Sequence, residues 1–172
     1  MLREKQSVTR STPIGTIRLV PFPHAPHPEP GSTFIFDPNE EDSGPPSYIT
    51  DRATTYHDGQ EPYVKLGRIA VVKGFRGAGI AKLLANAALD WAKKNPAFFN
   101  PSVEKMGMEQ LGAKTVEEVP VWRGLVCVHA QEQVEKAWAK WGFMIDEGMG
   151  FWWEEGIRHV GMFQRLDIGN GL

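Results

Sequence analysis

The hexapeptide Arg76-Gly77-Ala78-Gly79-Ile80-Ala81 sets a permanent cation and two glycines just ahead of an apolar helical pattern. Glycines let a backbone close around a phosphate, and the unbonded N–H groups of a helix start can donate to its oxygens. Arginine adds charge and a planar fork of donors suited to the same group. Two familiar phosphate-binding designs nevertheless fit poorly. A P-loop needs Lys and then Ser or Thr after its last glycine, whereas Gly79 is followed by Ile80 and Ala81. A dinucleotide fingerprint needs a third Gly or Ala where this chain has Lys82, and an acidic residue ending the next strand, which does not follow. A tight turn before a core helix is the plain alternative for six residues taken alone. Elsewhere, His24 and His27 have a spacing that suggests a metal, but no further ligand accompanies them, so no metal site is expected. Cys127 lies in the apolar stretch "GLVCVHA" and reads as a small buried hydrophobe.

The elements around the hexapeptide must position it. "YVKLGRIAVV" (63–72) reads as a strand leading into it, and "AGIAKLLANAALDWAKK" (78–94) as the helix leading out. Ile80, Leu83, Leu84, Ala87, Ala88 and Trp91 are predicted to form the buried stripe of that helix. "IGTIRLV" (14–20) and "STFIFD" (32–37) are predicted strands, separated by an irregular stretch at 21–31 in which five prolines forbid regular structure. The segments 38–62 and 97–121 read as long loops or insertions, the second with a short helix near "SVEKMGMEQLG". "GLVCVHA" (124–130) is a second buried strand, followed by a helix within 131–141 that ends at Gly142. The last stretch reads as a hairpin with its turn in "DEGMG" or "EEG". This order predicts one α/β domain over 1–172, a mixed sheet with helices packed on it, with 1–13 irregular.

Composition limits the partners. With 172 residues, 41% hydrophobic and 23% charged, the chain suits a single globular domain. A net charge of −2 and a pI of about 6.2 give no overall basic field for nucleic acid or an anionic membrane. One cysteine excludes an internal disulfide and a cysteine-based zinc site. "MLREKQSVTR" lacks the apolar core of a signal peptide and no apolar run is long enough to span a bilayer, so a cytoplasmic location is expected.

Arg76 to Ala81 matches the Gln/Arg-x-x-Gly-x-Gly/Ala turn of the GNAT N-acetyltransferases, which the chain resembles over roughly 14–20 and 63–165. "GLVCVHAQEQVEKAWAKWGF" is similar to the family's second splayed strand and the helix ending in Gly-Phe. "GRIAV", "AQ" and "EEGIRHVGM" resemble the ElaA-like branch. The resemblance implies an acyl-CoA N-acyltransferase fold, a mixed, mostly antiparallel sheet with splayed central strands and flanking helices. It implies direct acetyl transfer from acetyl-CoA to a primary amine, without metal. Ile69, Ala70 and Val71 would offer backbone groups to the pantetheine and acetyl carbonyl. Arg76, Gly77, Ala78, Gly79, Ile80 and Ala81 would hold the pyrophosphate, and Gln131 stands where relatives often have a cofactor-contacting Asn.

For the base that must neutralise an ammonium, His159 ranks first, because it matches the ElaA-like ending and imidazole is a common proton acceptor in catalysis. Glu155 follows, and His129 stands at the end of its strand. Glu154 and Glu155 favour a cationic acceptor. Many relatives place a proton-donating Tyr where this chain has Trp138, which cannot serve that step. The family also begins with a strand and two helices that find no counterpart among the 13 residues before Ile14. A small-molecule amine such as an amino sugar, polyamine or amino-acid derivative is the leading acceptor. The alternatives are protein lysines or N-termini, or a CoA-binding module without turnover. A homodimer is one arrangement the resemblance allows.

Overall fold

In a computed structural model, the described residues are 11–35 and 46–169. Within them, ten elements follow in chain order. They are strand β1 (Gly15–Val20), β2 (Thr33–Phe34), β3 (Val64–Val71), helix α1 (Ile80–Lys94) and the short α2 (Val103–Met106). Then come β4 (Leu125–Gln131), α3 (Glu135–Lys140), β5 (Met144–Ile145), β6 (Phe151–Glu154) and β7 (Ile157–Arg165). The strands form one mixed sheet in the order β1-β3-β4-β7-β6-β2, with β5 also on β7. Most pairings are antiparallel; β3–β4 and β2–β6 are parallel. No helix among the described residues is long and apolar enough to cross a membrane.

Alternation along the strands divides the core in two. Val64 and Leu66 of β3, Val126, Val128 and Ala130 of β4, and Val160 and Met162 of β7 face α1 and α3. Tyr63, Leu125, Cys127, Met149, Trp152 and Phe163 form a second cluster on the opposite face. Burial pushes the Cys127 thiol up to about 12, which suits packing and not nucleophilic attack.

Helix α1 lies on the sheet through Ala85, Ala88, Leu89 and Ala92, spaced i, i+3, i+4 and i+7. This corrects the predicted stripe, since Leu83 is 64% exposed and Trp91 42%. The physical reason is size: the alanines let the helix approach the strands closely. Trp91 packs edge-on against Phe98 and Phe99 instead, at 4.9 and 5.9 Å. Lys93 and Lys94 occupy the last turn, and the Asn95 side chain donates to Trp91 O at 2.8 Å.

Other expectations shift modestly. The strand predicted at 32–37 is only Thr33–Phe34 among the described residues; positions 36–45 lie outside them. The helix predicted within 131–141 opens as a 3-10 turn at Glu132–Val134. Residues 46–62 form no strand. They are tied to the sheet by buried Asp146, which accepts from Thr54 Oγ1 at 2.6 Å and from the amides of Thr55, Tyr56 and Met149 at 3.0, 2.8 and 3.0 Å.

The second face also carries three loop histidines, His24 and His27 from the stretch at 21–31 and His57 from 46–62. His24 Nε2 donates to Tyr63 O at 3.0 Å. His57 Nε2 donates to Glu61 O at 2.8 Å, so its Nδ1 accepts from His27 Nε2, also at 2.8 Å. Burial lowers His24 to about 3 and His27 to about 4, against an opposing pull from Asp51 on His27. Both are therefore neutral when folded at neutral pH, while in the unfolded chain they take up protons near 6.5. The unfolded state binds more protons below that value, so stability is full above it and falls as pH drops from 6.5 toward 4. The urea midpoint is expected to fall between pH 7 and pH 5, and His24→Gln to flatten that slope. An unchanged slope in the variant would assign the acid sensitivity elsewhere.

Candidate active site

Strands β3 and β4 pair only at Val64 with Val126 and at Lys65 with Cys127. Beyond these pairs they diverge. β1 holds the outer edge of β3, and β7 pairs with β4 along its full length. Among the described residues no strand lies between the facing edges, Leu66 to Val71 and Val128 to Gln131, which leaves an open slot where the two strands part. On the β3 side the register jumps from Thr16↔Ala70 to Arg18↔Gly67, so β3 holds one residue more than β1, and Arg68 has φ 53. A bulge of this kind re-aims the neighbouring peptide groups. It sits directly before Ile69, Ala70 and Val71, which line the slot edge.

The chain leaves β3 through a 3-10 turn at Lys73–Phe75 and enters α1 through Arg76–Gly79. Arg76 Nε donates to Val71 O at 3.0 Å, which closes the turn on the strand end. Gly77 and Gly79 have φ +82 and +78, conformations that side chains disfavour. A Cβ built on either meets nothing within 4 Å, so both glycines border open space. Gly79 caps α1 with no side-chain bond, and the first amide it satisfies is that of Leu83. The amides of Ile80, Ala81 and Lys82, in the first turn of α1, have no intrahelical partners, and no acidic residue stands in that turn. Ala78 completes the turn. These features suit an anionic group such as a pyrophosphate.

Gln131 ends β4 beside the slot, and its Oε1 accepts from Gln133 Nε2 at 2.9 Å. Trp138 does not reach the slot. It is buried against Trp141 and Phe143, at 4.9 and 5.2 Å, and serves the core.

A second cluster lies on the sheet face that carries Trp152. In the β6–β7 hairpin Trp152 pairs with His159, and on β4 His129 pairs with Gly161, so all three side chains share that face. Trp152, 1% exposed, meets the His129 ring edge-on at 4.8 Å and lies nearly parallel to the His159 ring at 6.3 Å. Its Nε1 donates to Glu154 Oε1 at 2.6 Å. His129 Nδ1 lies 3.4 Å from the same oxygen, and His159 Nε2 lies 4.0 Å from Glu154 Oε2. The His129 contact, opposed in part by burial, holds the Glu154 carboxyl down at about 2. Burial lowers His129 despite Glu154, so it is neutral at pH 7.

The structure thus brings His129 and His159 together around a carboxylate, and that carboxylate is Glu154. Glu155 stands in the exposed turn, with φ 51, and its amide donates to Phe34 O at 3.0 Å. Lys65, on the same face from β3, is also missed by the sequence reading. Burial lowers its ammonium, with Cys127, Glu154 and Asp51 acting in the other direction. His24 and His27 belong to the structural network above. Among the described residues no group of three His, Cys, Asp or Glu side chains surrounds a common ion position.

Comparison with known proteins bears on this arrangement. The sequence model of the acetyltransferase (GNAT) family matches residues 8–100, more than half of the chain. No curated protein matches. Among solved structures, a putative N-acetyltransferase from Lactobacillus plantarum shares 19% identity over 60% of this chain and 52% of its own, with a TM-score of 0.42. An acyl-CoA N-acyltransferase from Pseudomonas aeruginosa shares 22% over 59% of this chain and 50% of its own, at 0.38. An N-acetyltransferase from Bacillus subtilis in complex with coenzyme A shares 11% over 69% and 56%, at 0.37. The chain spans about half the length of the solved structures it matches. The motif at Arg76–Ala81 lies inside the matched segment, and on that match the chain belongs to the acetyltransferase (GNAT) family.

Proposed function

We propose that this chain is an acetyl-CoA-dependent N-acetyltransferase that moves an acetyl group directly to the primary amine of a small molecule. The observation that carries the reading is the glycine turn at Arg76–Ala81, whose glycines border open space, at the end of β3 where β3 and β4 part. Family membership and the ElaA-like ending "EEGIRHVGM" support it. Acetyl-CoA supplies the activated thioester. Arg76 and the amides from Gly77 to Ala81 bind its pyrophosphate, while Ile69 to Val71 and Gln131 flank the slot and orient the thioester arm. A backbone N–H at the β3 bulge donates to the carbonyl oxygen as charge builds there, the kind of fixed dipole worth a few kcal/mol.

Glu154, held by Trp152 and His129, faces the acceptor, and His159 Nε2 takes the proton that an ammonium must lose before attack. The C–N bond forms as the C–S bond breaks, the nitrogen releases its second proton to solvent, and the coenzyme leaves as a thiolate that takes a proton back from solvent. With a pKa near 8.5, a thiol needs no dedicated acid, which accommodates Trp138 in the core. The test is amine-dependent release of free thiol from acetyl-CoA across a panel of small amines and peptides. His159→Ala is expected to lower kcat/KM by about 10²–10⁴ below the amine's own pKa, and less above it. A small, pH-independent loss would make His159 a packing residue. Acetyl-CoA binding without turnover on any amine would leave a coenzyme-binding module, and turnover on peptides alone would move the acceptor to proteins.

A further inference from the structure

Lys65 has no role in the proposed transfer, yet it stands at the fork of the slot. It is the last residue at which β3 still pairs with β4, opposite Cys127, and beyond it the strands part. Strand alternation puts its side chain on the face of Tyr63, Cys127 and His129, away from the Val64 and Leu66 side that meets α1. The side chain is half-buried, and among the described residues no hydrogen bond or ion pair holds its ammonium. Burial disfavours the charged form, with Cys127, Glu154 and Asp51 pulling the other way, so more of this amine is neutral at a given pH than of a fully solvated lysine. The next residue on that face is Gly67, about 6.6 Å further along the strand and within the reach of a lysine side chain. A Cβ built there meets nothing within 4 Å, so the way from Lys65 toward the slot is open. His129 supplies a matching acceptor. Its Nδ1 faces Glu154 Oε1 at 3.4 Å, and its Nε2 is fully buried with no hydrogen-bond partner among the described residues. Lys65 lies near enough for its charge to lower this imidazole.

We infer that Lys65 is a site of self-acetylation: its Nζ takes the acetyl group of a thioester held in the slot, and His129 Nε2 takes the proton that the nitrogen releases. The inference rests on the transferase reading only for the identity of the donor. Desolvation activates a lysine as a nucleophile, and the neutral amine attacks the thioester carbonyl. The C–N bond forms, the C–S bond breaks, and the sulfur leaves as a thiolate. The proton lost by nitrogen passes to His129 and from there to the thiolate or to solvent. The products are a neutral amide at Lys65 and a free thiol. Acetylation therefore removes a positive charge that acts on His129, which makes that imidazole easier to protonate and moves the pH profile of the site upward. The reaction proceeds when no acceptor amine is present to consume the donor.

The test is peptide mass spectrometry of the full chain after incubation without an acceptor amine. One arm uses acetyl-CoA, the other S-acetyl-N-acetylcysteamine, a thioester that lacks the pyrophosphate. Both are expected to acetylate Lys65 at least tenfold faster than the exposed Lys94 and Lys114. Acetylation of Lys65 by the small thioester no faster than that of the two exposed lysines overturns the proposal, irrespective of any variant. His129→Gln, once shown to fold by circular dichroism, is expected to slow Lys65 at least tenfold and to leave Lys94 and Lys114 unchanged; an unchanged Lys65 rate would overturn the role of His129. Calorimetry with acetyl-CoA on the same samples separates the two readings. Coenzyme binding with Lys65 unreacted in both arms ends self-acetylation alone, whereas selective reaction with the small thioester and no coenzyme binding ends the transferase reading alone.

Discussion

Replacing Trp152 with alanine is expected to cost about 3–5 kcal/mol of stability, as removal of a fully buried aromatic does. The side chain is 1% exposed and is the largest member of the six-residue second cluster. For a domain whose total stability is of order 5–15 kcal/mol, that is a large share. Urea unfolding measures it. Trp152→Phe separates packing from chemistry. It keeps most of the apolar burial but removes the N–H that donates to Glu154 Oε1. Its stability should fall by about 1 kcal/mol, the scale of one hydrogen bond, while amine-dependent turnover falls far more. Wild-type turnover in Trp152→Phe would mean that the indole does not position the carboxylate.

Gly79→Val is expected to separate folding from coenzyme binding. The residue has φ +78, and a side chain there costs about 1–2 kcal/mol in backbone strain. Nothing within 4 Å obstructs the new β-carbon, so the chain should still fold. The valine nevertheless fills the mouth of the turn and shields the first amides of α1. Affinity for acetyl-CoA should drop at least a hundredfold, about 2.7 kcal/mol. A folded variant that binds like the wild type would mean that the phosphates sit elsewhere.

The two halves of the candidate site differed in how readily they could be read. The proposed coenzyme half is contiguous: strand, glycine turn and helix follow one another, so residue types at fixed spacing are enough to nominate it. The proposed acceptor half is assembled across β4, β7 and β6, and depends on hairpin register. With the turn at Glu155-Gly156, strand alternation puts Trp152 and Glu154 on the face of His159, and carries Glu155 out of it. Two candidate turns left open which of Glu154 and Glu155 shares the face of the histidines, and the register puts Glu154 there. The stripe of α1 was misread because apolar size was weighed above close approach; three alanines face the sheet while Leu83 and Trp91 face away. The loop at 46–62 was opaque for another reason. Its order comes from Asp146, some ninety residues on, and no local pattern announces so distant a partner.

The central claim is that Arg76–Ala81 holds the pyrophosphate of acetyl-CoA. Calorimetric titration of the purified chain with acetyl-CoA, beside Arg76→Ala, tests it most directly. The account predicts saturable binding at one site per chain, weakened by the substitution. A folded chain that gives no binding heat, or an Arg76→Ala variant that binds as tightly as the wild type, would contradict it.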